Sequence, residues 1–214
     1  MNITVNTDRM YDISMPIEEG MKVYKGKTDK KPHISLYSDF KTGTAYESVL
    51  SMNLHTGTHI DAPLHMIDGG GNLETLSLRS LFTVCTVLDL TKCTGSISKE
   101  DLEHFSITQG DFLLFKTKNS FTDILEGDYV YLDKTGSAYL AQKKIKGVGI
   151  DALGIERAQS GHETHLALMK EGVLIIEGLR LSHVPEGRYA LSAFPLSIKG
   201  VEASPVRAVL MDLE

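Results

Sequence analysis

The sequence has no tryptophan, only two cysteines and no long apolar run. A helix that crosses a bilayer needs roughly 20 consecutive apolar residues, so we expect no membrane span and no membrane partner. The N-terminus also lacks the basic start and apolar middle of a secretory signal peptide. We therefore expect a cytoplasmic protein.

The chain also lacks an excess of positive charge, because its formal net charge is -6 at pH 7. Lysines and arginines are scattered, apart from a short run at residues 143–146. A nucleic-acid-binding surface is basic, so no nucleic-acid partner is expected. Cys85 and Cys93 form no CxxC pair, which argues against a zinc finger. We interpret them as a buried thiol on a strand and a reduced thiol near a turn.

What is present is the composition of a soluble globular domain, with 42% apolar and 23% charged residues. A chain of 214 residues is long enough for one core, and no linker, repeat or low-complexity segment divides it. The sequence therefore predicts a single domain over residues 1–214. Strand-like and helix-like segments alternate along it, which favours an α/β architecture.

Alternation of apolar residues and turn signals predict the strands. The expected strands are Met10–Ser14, Ile34–Tyr37, Tyr46–Leu54, Phe82–Leu90, Phe112–Lys116, Gly147–Asp151, Val173–Glu177, Tyr189–Phe194 and Val206–Leu213. Three helices are expected between them. One begins at Ser98 with a capping box to Asp101, one is capped by Ser137 and runs to about Ile145, and one covers His162–Glu171.

Three of the eight histidines, at positions 55, 59 and 65, fall within one short segment that also contains Asp61. A single histidine is more often a structural or surface residue than a ligand. Four metal-compatible side chains packed this closely favour the opposite interpretation. Imidazole and carboxylate groups suit Zn²⁺ and Mn²⁺, and three ligands that leave one open position are typical of a catalytic site. An ion there would activate water and polarise a carbonyl.

The backbone of this segment must turn for His55 and His59 to reach one ion. In an extended strand they would lie roughly 13 Å apart, and the intervening Thr56-Gly57-Thr58 is a poor helix former. Gly57 instead offers a bend with positive φ. Pro63 then stiffens the chain and directs His65 toward the ion. His65 is either a further ligand or a proton shuttle, and we prefer the shuttle.

The run His55-Thr-Gly-Thr-His-Ile-Asp-Ala-Pro-Leu-His65 resembles the signature HxGTHxDxPxH of the cyclase family of metal-dependent hydrolases. All the fixed positions match. His165 and Glu177 stand at the family's spacing of twelve residues in a second region. Weaker similarity extends to Asp12-Ile13-Ser14, to Asp151 and to residues 204–209, so the resemblance covers nearly the whole chain.

The resemblance implies a swivelling β/β/α domain, a mixed sheet with flanking helices, assembled as a homodimer or a larger homo-oligomer. It also implies one or two divalent ions, with Zn²⁺ favoured and Mn²⁺ possible. Under it, His55, His59 and Asp61 bind the first ion, and His65 is the catalytic acid/base. Asp61, His165 and Glu177 bind the second ion. The residue pattern alone predicts only the first of these ion sites.

The family includes arylformamidases, which hydrolyse N-formyl-L-kynurenine to kynurenine and formate, so the resemblance implies this hydrolysis of an amide. Those enzymes have a tryptophan after the first strand, whereas this chain has Tyr24 in Val23-Tyr24-Lys25-Gly26. Tyr24 could supply the flat apolar face. The alternatives are hydrolysis of a cyclic amide, as in isatin hydrolases, of another small amide or ester, or a metal-binding protein without turnover. An intact His65 argues against the last.

Overall fold

The computed structural model describes residues 3–122 and 128–214, which form a nine-stranded sheet and two small two-stranded sheets. The strands are β1 Val5–Asp12, β2 His33–Ser38, β3 Glu47–Ser51, β4 His59–Asp61, β5 Phe82–Asp89, β6 Ser96–Ile97, β7 Phe112–Lys116, β8 Tyr131–Leu132, β9 Gly147–Ile150, β10 Leu174–Glu177, β11 Gly187–Ser192, β12 Ala203–Pro205 and β13 Val209–Leu213. The large sheet has the spatial order β1-β13-β11-β5-β7-β9-β10-β4-β12.

The large sheet is parallel at its centre and antiparallel on both sides. Strands β5, β7, β9 and β10 are parallel neighbours, and β11 and β4 pair antiparallel with the two ends of this group. Central parallel strands are covered on both faces, so they are almost continuously apolar. The predicted mixed sheet is thus confirmed, and its strand order places β4 next to β10, with β12 on the far side of β4.

Side chains that alternate along the central strands divide between two cores, one on each face of the sheet. On β7, Phe112 and Leu114 enter one core, and Leu113 and Phe115 enter the other. Helices α3 (Lys134–Lys143) and α4 (Glu163–Lys170) contribute Leu140, Leu168 and Met169 to the core that contains Leu113 and Phe115. We call this side of the sheet the helical face.

Residues 3–122 and 128–214 contain four α-helices: α1 Leu78–Leu81, α2 Lys99–Leu102, α3 Lys134–Lys143 and α4 Glu163–Lys170. The capping box of Ser98 and Asp101 at α2 is confirmed, and α4 lies within its predicted range. No helix among the described residues is long and apolar enough to cross a membrane.

The predicted start of α3 is wrong. The helix begins at Lys134, because the Asp133 side chain accepts hydrogen bonds from the backbone amides of Thr135 and Gly136. Ser137 lies inside the first turn, is fully buried, and its hydroxyl donates to the Lys134 carbonyl. Asp and Ser are both favoured capping residues, and the apolar pattern did not separate the two positions.

Strand boundaries differ from the prediction at several ends. The first strand begins at Val5 rather than at Met10, and the last begins at Val209 rather than Val206. The strands β4 and β12 were not predicted, because three residues are too few for an alternating pattern to be recognised. Both cysteines are free, with Cys85 buried on β5, as expected.

Candidate metal centre

The segment that carries the first histidines turns sharply before β4. Gly57 has φ +73°, in the left-handed region that favours glycine. The hydroxyl of Thr56 donates to the Lys30 carbonyl, and the hydroxyl of Thr58 donates to the Gly178 carbonyl at 2.6 Å. These contacts hold a bend that brings the rings of His55 and His59 to 5.0 Å between centroids, as the turn prediction required.

Strand β4 places two candidate ligands on the helical face. Side chains two residues apart lie on one face of a strand, so His59 and Asp61 point the same way while Ile60 enters the opposite core. Glu177 on β10 is paired directly across from His59. Helix α4 packs on this face and adds His165, which is buried.

The ring nitrogens of three histidines converge on two carboxylates. Asp61 Oδ1 lies 3.1 Å from His55 Nδ1 and 3.5 Å from His59 Nε2. Asp61 Oδ2 lies 3.8 Å from His165 Nε2. Glu177 contacts His59 Nε2 at 3.4 Å and His165 Nε2 at 3.3 Å. The structure therefore brings all five predicted ligands together, including the pair that only the family resemblance indicated.

This cluster contains buried polar atoms without a hydrogen-bond partner among the described residues. They are His59 Nε2, both carboxylate oxygens of Asp61 and both ring nitrogens of His165. Buried polar atoms are nearly always paired, and a buried charge without compensation is costly. Imidazole nitrogens and carboxylate oxygens that face one another at these distances fit a divalent cation. Groups containing His59, Asp61 and Glu177 or His55, Asp61 and His65 have the spacing of metal ligands.

Without a metal ion, the histidines and carboxylates stabilise each other's charges. Burial alone would lower the pKa of His59, but Glu177 and Asp61 raise it to about 9. Burial and the charge of Asp61 would raise the pKa of Glu177, yet His165 and His59 lower it to about 2. The pKa of Asp61 is likewise held well below its usual range against burial, by His165 and His55. These carboxylates would attract a divalent ion as they attract protonated histidines.

His65 lies at the edge of the cluster and differs from the other histidines. It ends the turn Pro63–His65, and its ring centroid lies 4.1 Å from that of His55 and 5.7 Å from that of His165. Within residues 3–122 and 128–214 it makes no ion pair. Burial lowers its pKa, with Asp61 acting in the opposite direction. A neutral imidazole beside the ligands can accept a proton.

Each candidate histidine ligand also has an acceptor near its other ring nitrogen. His59 Nδ1 is hydrogen-bonded to the Gly57 carbonyl at 2.9 Å. His55 Nε2 lies 3.3 Å from Glu202, and His165 Nδ1 lies 3.0 Å from Glu156. Such contacts set which nitrogen is free to bind a metal.

Sequence reasoning missed Glu156 and Glu202. His33, His104, His162 and His183 were considered structural or exposed, and all four are exposed. His162, however, also contacts Glu156. One signal could have identified Glu156, since this carboxylate ends the buried run of residues 151–155, much as Glu177 ends β10.

Tyr24 lies near a second tyrosine beside the cluster. A Cβ atom on Gly154 would lie 3.4 Å from the Tyr129 hydroxyl and 3.5 Å from the Tyr24 ring. Burial, then Tyr24 and Glu177, raises the pKa of Tyr129. The half-buried Tyr24 ring is thus part of the surroundings of Tyr129, whose hydroxyl donates to the Glu156 carbonyl.

Together, the mixed sheet and the histidine and carboxylate cluster define a protein with a candidate site for a divalent metal on the helical face. Residues 11–157, more than half of the chain, match the family described as "Putative cyclase". The chain belongs to this cyclase family, and the resemblance seen in its histidine segment is confirmed.

Named relatives and solved structures agree with this assignment. The kynurenine formamidase of Bacillus mycoides is 31% identical, over 96% of this chain and 99% of that protein. A structure described as a potential metal-dependent hydrolase with cyclase activity is 50% identical, with a TM-score of 0.89 over 96% of this chain and 98% of the other. Isatin hydrolase A of Labrenzia aggregata, at 22% identity, has a TM-score of 0.84 over 96% of this chain and 94% of its own, which shows a common fold.

Proposed function

We propose that this chain is a metal-dependent amide hydrolase of the arylformamidase type, which converts N-formyl-L-kynurenine and water to kynurenine and formate. The observation that carries the proposal is the group of buried, unpaired ligand atoms on β4 and α4. The full-length similarity to kynurenine formamidases supports the substrate.

The ligand atoms divide into two groups that share Asp61. Its Oδ1 atom faces His55 and His59, and its Oδ2 atom faces His165. We assign His55, His59 and Asp61 to one ion and Asp61, His165 and Glu177 to the other. A divalent ion held there supplies the Lewis acidity that activates water and the substrate carbonyl. Zn²⁺ is the proposed ion, because His and carboxylate ligands at a buried site suit it, and Mn²⁺ is the alternative.

His65 is the proposed catalytic acid/base. Its ring stands next to His55 at the edge of the ligand cluster. From there it can take the proton released by the attacking water and give it to the leaving nitrogen, which must depart as a neutral amine. Replacing His65 with Ala should lower kcat by about 10² to 10⁴ while metal content stays unchanged. Loss of one ion with the imidazole would instead identify His65 as a ligand.

The alternative substrate is a cyclic amide. Tyr24 stands where formamidases of the family have tryptophan, so the aromatic side of the substrate pocket differs. We propose that Tyr24 packs against the aromatic ring of the substrate. The fold shared with isatin hydrolase A supports the cyclic-amide alternative only at the level of architecture.

One experiment separates these functions. Protein purified without chelator is analysed for metal, and hydrolysis of formylkynurenine, N-formyl anilides, isatin and simple esters is measured before and after metal removal. We expect one or two divalent ions per chain and metal-dependent release of formate. Turnover of isatin alone would establish the alternative. Full activity without metal would contradict the metal centre itself.

We further propose a homodimer or larger homo-oligomer in the cytoplasm. The β2–β3 hairpin exposes apolar side chains on both faces, among them Ile34, Leu36 and Val49. A two-stranded hairpin is marginally stable by itself, and an exposed apolar patch of this kind marks an interaction site. Two free cysteines suit a reducing compartment.

A further inference from the structure

Glu156 is a buried carboxylate outside the proposed ligand set, in the loop between β9 and α4. Its Oε2 atom accepts hydrogen bonds from the backbone amides of Thr164 at 3.1 Å and His165 at 3.3 Å. These amides belong to the first turn of α4, whose N-cap residue His162 provides no side-chain cap. Glu156 therefore satisfies helix donors that would otherwise have no partner.

The other oxygen of the same carboxylate faces imidazole rings. Glu156 Oε1 lies 3.0 Å from His165 Nδ1, and it is hydrogen-bonded to His162 Nδ1. On the far side of the His165 ring, Nε2 faces Asp61 and Glu177. One carboxylate thus contacts both the backbone and the ring of His165.

A histidine binds a metal through a nitrogen that carries no proton, so its other nitrogen must hold the proton. An acceptor beside Nδ1 favours the tautomer with Nδ1–H and leaves Nε2 free. Glu156 occupies this position for His165. The other two candidate histidine ligands have different partners at the second ring nitrogen. The partner of His59 is a backbone carbonyl, and that of His55 is the partly exposed Glu202. Glu156 is therefore the one partner of the three that is both buried and anionic.

We propose that Glu156 is a positioning residue that fixes the ring and tautomer of His165 and thereby sets the metal affinity of the group formed by Asp61, His165 and Glu177. This inference rests on the ligand assignment of the proposed function. It extends that assignment to Glu156, a residue outside the assigned ligand set.

The simpler role for Glu156 is that of a helix cap alone. Glu156→Gln separates the two roles, because a glutamine has one acceptor oxygen for two sets of donors. If Glu156 is only a cap, the variant changes the stability of the metal-free protein and leaves metal affinity alone. If it positions His165, metal affinity falls. Glu163→Gln is the matched control, since Glu163 is exposed in the same turn and the charge change is identical.

The test measures Zn²⁺ affinity by competition with a chromophoric chelator, and thermal unfolding of each metal-free variant. We expect Glu156→Gln to weaken binding by about 10- to 100-fold, and Glu163→Gln to bind as the original chain does. In a His165→Ala background, Glu156→Gln should cause no further loss, because residues that act through one group are not additive. Glu156→Asp, which keeps the carboxylate, should recover part of the affinity.

The outcomes distinguish this inference from the proposed function. Unchanged Zn²⁺ affinity in Glu156→Gln, with loss in His165→Ala, would overturn the inference and leave the ligand assignment intact. Equal losses from Glu156→Gln with and without His165 would also overturn it. If His165→Ala keeps its Zn²⁺ affinity, His165 is not a ligand. The ligand assignment and the inference about Glu156 would then both be wrong. If Glu156→Gln does not fold, Glu156→Asp takes its place: a partial loss of Zn²⁺ affinity is then expected, and an affinity equal to that of the original chain would overturn the inference.

Discussion

At the scale of single residues, Gly178 connects β10 to the bend that carries the first histidines. It has φ +72°, and a Cβ atom there would lie 2.3 Å from the Gly57 carbonyl oxygen. That oxygen accepts the hydrogen bond from His59. Gly178→Ala should therefore displace the bend, at a cost of roughly 2 to 4 kcal/mol from backbone strain plus overpacking, and it should lower metal affinity.

Gly172 provides the control for this prediction. It also has φ +72°, but nothing lies within 4 Å of a Cβ atom at that position. Gly172→Ala should cost only the strain of the left-handed conformation, about 1 kcal/mol, and keep metal affinity. Denaturant unfolding and chelator competition measure the two effects. If both substitutions lower the free energy of unfolding equally, the contact between residue 178 and the Gly57 carbonyl must be relieved without cost.

The residue scale also shows what a single sequence can predict of the site. His55, His59 and Asp61 were accessible because they are close in the chain and chemically alike. His165 and Glu177 meet them only through the packing of α4 and the pairing of β10 with β4, so local pattern alone could not reveal them, and the family resemblance was needed. Neither the residue pattern nor the family resemblance predicted the contacts of Glu156 and Glu202 with the histidines.

At the scale of elements, substitutions at the start of α3 test the corrected helix boundary. Asp133 accepts from two amides at the helix start, so Asp133→Ala should cost about 0.5 to 2 kcal/mol of the free energy of unfolding. Ser137→Ala removes only a bond to the Lys134 carbonyl and should cost less. Urea unfolding of the two variants checks the order. A larger loss from Ser137→Ala would contradict the assignment of the main capping contribution to Asp133.

The Asp133 contribution also has a defined pH dependence. Burial raises the pKa of this carboxyl, but hydrogen bonds from Thr135 and Gly136 lower it overall from its ordinary value of 3.8. An acid whose pKa is lower in the folded state stabilises the protein above its unfolded pKa, and this contribution is lost as the pH falls through the folded value. The difference between the original chain and Asp133→Ala should therefore be full at neutral pH and shrink below about pH 4.

At the scale of the whole molecule, most strands could be predicted from the sequence, but their order in the sheet could not. Strand β4, which carries His59 and Asp61, pairs with β12 through Asp61 and Ala203, which are remote in sequence. Such pairing depends on the tertiary fold rather than on local pattern. The apolar β2–β3 hairpin was correctly predicted as two strands, yet its exposure became apparent only in the structure.

That exposure leads to a prediction about assembly. Leu36 is 53% exposed and shares a hairpin face with Ile34 and Leu50. If a second copy covers this face, light scattering should give at least twice the chain mass of 23.5 kDa, and Leu36→Glu should dissociate the assembly by placing a charge in an apolar interface. Phe121→Glu, at a 58% exposed residue outside the hairpin, should leave the mass unchanged. A single-chain mass for the original protein, or an assembly that withstands Leu36→Glu, would show that the hairpin is not the interface between copies.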